Sequence, residues 1–420
     1  LGKDRSKTLK THLPNRPLYA VLSAGATAFY ARKAKIVCDN TAIKGMKPPF
    51  IAVCNHPSFF DWILMARALR PHRVNIIMTR YYYCYRGLAM LLDGLGAIPK
   101  DLFSPDPQTV RAAMTVIKKG GCIGIFPEGR LSPDGRIESF HSSIYKLMKN
   151  LGVPVINVHV EGSYFIRPKW SHQMRKGTVY VKAEPLFTAG ELENIDEQTA
   201  LERLEKALFY DESATQRIRR TQFRHPAIAE GLHRILYLCP KCGAEFAMKT
   251  AGGRIFCEKC GNAATLNAFY DLAAESAESV IPASIGDWYE LQREFEFSRI
   301  CRDPEVKMSG HVVLRQPRFG REPFSVVGEG VVTLDKNGLV YQGSRDGEAF
   351  LLEVPLNMLK ALLYGAECDF EIYHRGQFYY FEPDNLLECV KWSVFGEQLY
   401  VYHILKKRDA DATIGAAKRD

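Results

Sequence analysis

"PPFIAVCNHPSFFDWILMARAL", residues 48–69, decides how the N-terminal half of the chain is read. Residues 50–55 are apolar up to Asn55 and short enough for a strand buried on both faces. Residues 61–69 read as a helix, and Asp61 at its head suits a helix start. Between them lies "NHPSFFD", residues 55–61, where Pro57 and Ser58 make a turn. A loop with two polar residues is one reading; a catalytic pair is the other. An imidazole with a pKa near ~6.5 can take a proton from a hydroxyl, and a buried carboxylate would fix its tautomer and steady the imidazolium. No serine or cysteine in a nucleophile motif lies close by. A base at His56 would therefore act on a hydroxyl of the substrate itself, without a covalent enzyme intermediate.

Outward from this stretch, short apolar runs alternate with helical patterns. Residues 73–79, 121–127, 153–162 and 176–186 read as strands, with a short one at "AIP" (97–99). Residues 87–96, 106–120, 142–152 and 196–212 read as helices. That alternation predicts an α/β sheet covered on both faces. Ligands bind at the strand ends of such sheets. "FPEGR", 126–130, stands at one such end: Gly129 permits close backbone approach and Arg130 matches a phosphate bidentately. "GAIPKD", 96–101, sets Lys100 at another.

"NHPSFFD", "GAIPKD", "FPEGR" and "VPVINVHVEG" resemble, in order and approximate spacing, the four motifs of the glycerolipid acyltransferases. The resemblance spans roughly residues 15–215. It implies acylation of glycerol phosphate or lysophospholipids from acyl-CoA or acyl carrier protein. It implies His56 as general base, Asp61 as the group that orients it, and Lys100 on the acceptor phosphate. Glu128, Gly129 and Arg130 would bind the acceptor head group, and Pro154 would belong to the motif that supports the donor side. The third motif departs from its commonest form. Arg130 follows Gly129 directly and Leu131 takes the usual arginine position, as in a variant similar to bifunctional lysophospholipid acyltransferases.

"CPKCG", 239–243, and "CEKCG", 257–261, give two Cys-x2-Cys pairs. Four thiolates at this spacing suit a closed tetrahedral Zn²⁺ site, so Cys239, Cys242, Cys257 and Cys260 are expected ligands of a structural zinc ribbon. The stretch 236–264 carries no basic run interleaved with aromatics, which argues against nucleic acid as partner. Residues 306–383 alternate in short strands, and a helical pattern ends the chain. This tail faintly resembles pleckstrin-homology or GRAM-type domains. The expected organisation is an acyltransferase-like domain with an N-terminal amphipathic helix (1–225), a zinc ribbon (234–265), a helical linker (266–305) and a β-rich domain (306–408).

Charge adds a partner class. Residues 1–120 hold 19 Lys and Arg against 6 Asp and Glu, or +13; the whole 420-residue chain is +9, so the other 300 residues sum to −4. A basic N-terminal third suits an anionic membrane surface or a phosphorylated acceptor. Residues 16–35 place Leu18, Val21, Leu22, Ala26 and Phe29 at helical spacing between basic flanks, as in an interfacial helix; packing on the core is the plainer alternative. No run is long enough for a spanning helix, and no signal peptide is expected. The seven cysteines outside the paired motifs read as free thiols of a reducing compartment. The sequence thus predicts a cytoplasmic enzyme held on the inner face of a membrane. A catalytically idle scaffold working through its ribbon and β domain is the alternative.

Overall fold

The computed structural model describes residues 11–101, 106–317 and 324–417; the first ten residues of the basic start lie outside the described residues. The chain forms two compact units, residues 1–228 with 268–270, and residues 229–267 with 271–420.

The first unit contains α1 (Arg16–Ala31), β1 (Ala34–Asp39), β2 (Phe50–Cys54), α2 (Asp61–Ala68), β3 (Val74–Thr79), α3 (Arg86–Gly94), β4 (Ile98–Lys100) and α4 (Pro107–Lys118). It continues with β5 (Cys122–Ile125), α5 (Ser143–Leu151), β6 (Val155–Glu161), α6 (Ser163–Ile166), β7 (Gly177–Phe187), α7 (Ala189–Asn194), α8 (Glu197–Leu208) and α9 (Glu212–Arg219). Its seven strands form one sheet in the order β1-β7-β6-β2-β5-β3-β4. From β6 to β4 the strands run parallel, while β7 and β1 run the other way.

Every side chain of β2 is buried, as its continuous apolar run requires. One face of the sheet packs Ile51, Val53, Ile123 and Val155 against α4, α5 and α8 through Val116, Met148 and Leu204. On the other face α2 buries Ile63, Leu64, Met65 and Ala68. Gly124 of β5 makes that approach possible, since a Cβ there would lie 2.7 Å from the Met65 sulfur. The parallel strands therefore send their carboxyl ends to one edge, where the loops after β2, β5 and β6 meet.

Two expected elements differ. The N-terminal helical stretch ends at Ala31, and residues 34–39 form a strand whose register against β7 is parallel throughout. The helix expected over 196–212 breaks after Leu208: Tyr210 turns inward to Glu128, and Asp211 caps a separate helix by accepting from the Ala214 amide at 2.8 Å.

The second unit begins with the cysteine knuckles and a four-stranded antiparallel sheet of β8 (Met248–Ala251), β9 (Arg254–Cys257), β10 (Ala263–Leu266) and β11 (Leu272–Ala274). Helix α10 (Ile285–Arg302) follows. Then come β12 (Met308–Pro317), β13 (Phe324–Asp335), β14 (Gly338–Arg345), β15 (Glu348–Pro355), β16 (Leu363–Gly365), β17 (Asp369–His374), β18 (Gln377–Pro383) and α11 (Cys389–Ala417). These seven strands form a meander in which β12 pairs with both β13 and β18, and α11 ends it. Trp392 of α11 stacks on Phe370 of β17, 4.8 Å between centroids. The ribbon is tied to α10 by polar side chains. Trp288 donates to the Leu238 carbonyl at 2.9 Å, and Gln292 both accepts from the Leu238 amide and donates to the Ile235 carbonyl.

Candidate active site and cysteine centre

The loop after β2 is fixed from four directions. Asn55 bridges to β6, accepting from the Val160 amide and donating to the Val160 carbonyl, both at 2.8 Å. His56 donates its backbone N–H to Glu128 Oε1 at 2.7 Å, and its carbonyl accepts from the Ser132 amide at 3.3 Å. The imidazole stacks on Phe126, 4.1 Å between centroids, and remains 18% exposed. Its Nδ1 lies 3.1 Å from Asp61 Oδ2.

Asp61 is fully buried at the first turn of α2. Oδ2 also accepts from the Ser58 amide at 2.7 Å, and Oδ1 accepts from the Ser163 hydroxyl at 2.7 Å. Burial raises its pKa; the bonds from His56, Ser163 and Ser58 oppose the rise. A carboxylate held in this way accepts the His56 Nδ1 proton and leaves Nε2 as the basic nitrogen.

The "FPEGR" residues fall beside this pair, in the loop after β5, the strand next to β2, but the side chains of Glu128 and Arg130 turn inward. Glu128 is buried, with Oε1 on the His56 amide and Oε2 accepting from the Glu138 amide at 2.8 Å and the Tyr210 hydroxyl at 2.9 Å. Burial lifts its pKa to about 8. Both oxygens are committed to the protein, so the carboxylate expected on a head group is instead a strut for the His56 loop. Arg130 pairs with Glu138, both side chains largely buried. Gly129 has φ +68°, a turn conformation that favours glycine. Lys100 ends β4 at the same edge but three strands from β2, roughly 14 Å at the usual strand spacing. Its Nζ donates to the Asp101 carbonyl at 3.2 Å, and burial lowers its pKa.

The sequence motifs do not include Ser163 or Tyr210. Ser163 follows the quoted "VPVINVHVEG" directly, so a polar residue just past a strand end was the available signal. Tyr210 lies outside every motif, and the chain's return beside β5 carries it to Glu128.

The four cysteines come together as expected: their sulfurs all lie within 4.8 Å of one another. Cys239 and Cys260 are 3.7 Å apart, and Cys242 and Cys257 are 3.9 Å apart. Sulfurs at ~2.3 Å from a tetrahedral ion stand roughly 3.8 Å from each other, so the set fits a metal. The two knuckles match: Gly243 donates to the Cys239 carbonyl and Gly261 to the Cys257 carbonyl, each at 2.9 Å, with φ of +68° and +73°. The Ala244 amide draws the Cys242 thiol down to about 7.

Comparison with protein families identifies residues 33–161 as an acyltransferase domain. A chloroplastic 1-acyl-sn-glycerol-3-phosphate acyltransferase of Brassica napus is 28% identical over 125 residues, 29% of this chain and 36% of that protein. The 1-acyl-sn-glycerol-3-phosphate acyltransferase of Bacillus subtilis is 26% identical over 86 residues, 20% of this chain and 43% of that protein. The matches thus span about a third to two-fifths of these relatives' length. The crystal structure of the 1-acyl-sn-glycerophosphate (LPA) acyltransferase of Thermotoga maritima aligns over 52% of this chain and 84% of that one, at 22% identity and a TM-score of 0.41. The matched stretch, residues 33–161, holds β1 through β6 of the parallel-rich sheet, with His56 and Asp61 at its carboxyl edge. Over that stretch the chain is similar to the 1-acyl-sn-glycerol-3-phosphate acyltransferases.

Proposed function

We propose that this chain is a peripheral membrane O-acyltransferase that moves a fatty acyl group from acyl-CoA or acyl carrier protein to a hydroxyl of lysophosphatidic acid or a related lysophospholipid. The observation that carries the reading is the 3.1 Å contact from His56 Nδ1 to a buried, triply bonded Asp61. His56 Nε2 takes the acceptor's proton as its oxygen attacks the thioester carbonyl. The C–S bond breaks, and the proton passes from the imidazolium to the leaving thiolate. Asp61 keeps its charge throughout and holds the ring. Relatives named as 1-acyl-sn-glycerol-3-phosphate acyltransferases support this acceptor class.

Cys239, Cys242, Cys257 and Cys260 would hold zinc with no open position, so its contribution would be structural. No helix among the described residues is long and apolar enough to cross a membrane. Peripheral attachment, at an anionic inner leaflet, draws support from α1, where Tyr30 alone is buried while Val21 and Phe29 are exposed. No observation favours an idle scaffold.

The test is acyl transfer by purified protein from a radiolabelled acyl-CoA to lysophosphatidic acid. Wild type should transfer the chain. His56→Ala should lose about a hundredfold to ten-thousandfold in rate with its circular dichroism unchanged. Equal turnover by the two proteins would sink the reading.

A further inference from the structure

A phosphorylated substrate at His56 needs a cation close by, and several basic residues of this unit, Arg130 and Lys100 among them, are engaged inside the protein or stand far off. Arg130 pairs with Glu138. Arg80, after β3, bonds Asp101 at 2.7 Å and Asp106 at 3.2 Å. Lys100 is three strands from β2. Arg175 is buried, donates to the Gln173 and Ile228 carbonyls and stacks on Trp170.

Arg167 is different. It follows α6 at the carboxyl end of β6, the strand that pairs directly with β2. Its guanidinium lies 5.4 Å from the ring centroids of both Phe59 and Phe60, three and four residues after His56. Its carbonyl accepts from the Ser58 hydroxyl at 2.9 Å, and Ser163, four residues earlier, holds Asp61. Among the described residues no carboxylate pairs with it and no hydrogen bond engages its guanidinium. It is partly buried, and burial lowers its pKa. A partly desolvated cation with five unengaged donors is costly unless a ligand completes it. The two rings offer its carbon a cation–π contact at 5.4 Å and take none of its N–H groups, which leaves the donors open to a phosphate.

We propose that Arg167 is the anion anchor of the site: its guanidinium, held against Phe59 and Phe60, receives the phosphate of a phosphorylated substrate beside His56. Acceptor and nucleotide-bearing donor both carry that chemistry. The assignment rests on the acyl-transfer reading above for what the substrate is.

Binding is measured in the His56→Ala background, where turnover is removed, by calorimetric titration with and without Arg167→Gln. One pair of ligands is lysophosphatidic acid and monoacylglycerol; the other is acyl-CoA and acyl-pantetheine, which lacks every phosphate. Removing one charge-assisted contact should weaken at least one phosphorylated ligand about 10- to 100-fold and leave its phosphate-free counterpart unchanged. A loss with lysophosphatidic acid assigns the acceptor's phosphate, and a loss with acyl-CoA assigns the donor's. Arg167→Lys should restore part of the affinity, and unchanged unfolding midpoints guard against a folding defect. Equal losses with and without phosphate, no change in any arm, or no binding of either phosphorylated ligand overturns the proposal. These arms need no turnover. A wild-type protein that transfers no acyl chain would sink the function proposed above and leave the phosphate comparison standing.

Discussion

Glu128 accepts from the His56 and Glu138 amides and from the Tyr210 hydroxyl, so one carboxylate ties the loop that carries the imidazole to two other segments. Burial raises that carboxyl to about 8, and Glu212, which accepts the Gly162 amide on both oxygens, is raised to about 8 for the same reason. In the unfolded chain a glutamic acid titrates near ~4.3. Between those values the folded protein binds more protons than the unfolded one, so stability falls as pH rises. The unfolding midpoint should therefore decline from about pH 5 to about pH 8. Glu128→Gln removes one of the two titrations and also turns an NH2 toward backbone donors. Its midpoint should be lower at every pH, with a shallower decline. Thermal unfolding across that range checks it; a variant with the wild-type slope would place the titration elsewhere.

At the scale of elements, some structure is legible because its cause is local. The continuous apolar run of β2 announces burial on both faces, and the pair His56 and Asp61 is fixed by one turn of chain. The two cysteine knuckles need only their own spacing and a glycine each. Other parts have causes far away in sequence. After the buried Ala34, residues 35–39 alternate exposed and partly covered side chains, and pairing with β7 is what makes them a strand. Ser163 reaches Asp61 across 102 residues, and Tyr210 reaches Glu128 across 82, because β6 and β5 flank β2. The ribbon shows the same division: its ligand set is local, while its attachment to α10 through Trp288 and Gln292 is not. That attachment carries a prediction. Purified protein should contain about one zinc per chain by elemental analysis. Cys239→Ser should lose most of it, and a chelator should lower the unfolding midpoint of wild type far more than that of the variant. Equal zinc in both proteins would remove the metal reading.

The whole molecule is electrically lopsided, with +13 in its first 120 residues and −4 in the remaining 300. Four of those 19 cations lie in the first ten residues, outside the described structure, but Arg16, Arg32, Lys33, Lys35 and Arg86 border two helices in contact. Leu18 of α1 packs so close to Gly94 of α3 that a Cβ there would lie 2.5 Å from its Cδ2. These two helices keep little inside: Tyr30 is the buried side chain of α1 and Leu92 that of α3. Val21 and Met90 are each 70% exposed, and Phe29 is 52% exposed. Large apolar side chains in water beside cations are the two ingredients of interfacial binding, one insensitive to salt and one screened over ~8–10 Å at ordinary ionic strength. Cosedimentation with vesicles can separate them. Binding should be stronger to vesicles containing anionic lipid than to neutral ones, and salt should erase the difference. Val21→Glu and Met90→Glu should each weaken binding about tenfold at any salt, since each replaces ~1.5–3 kcal/mol of apolar transfer with a charge. Exposed positions like these cost little folding stability when changed. Unfolding midpoints should therefore match wild type, and a vesicle affinity untouched by both substitutions would move the membrane surface off α1 and α3.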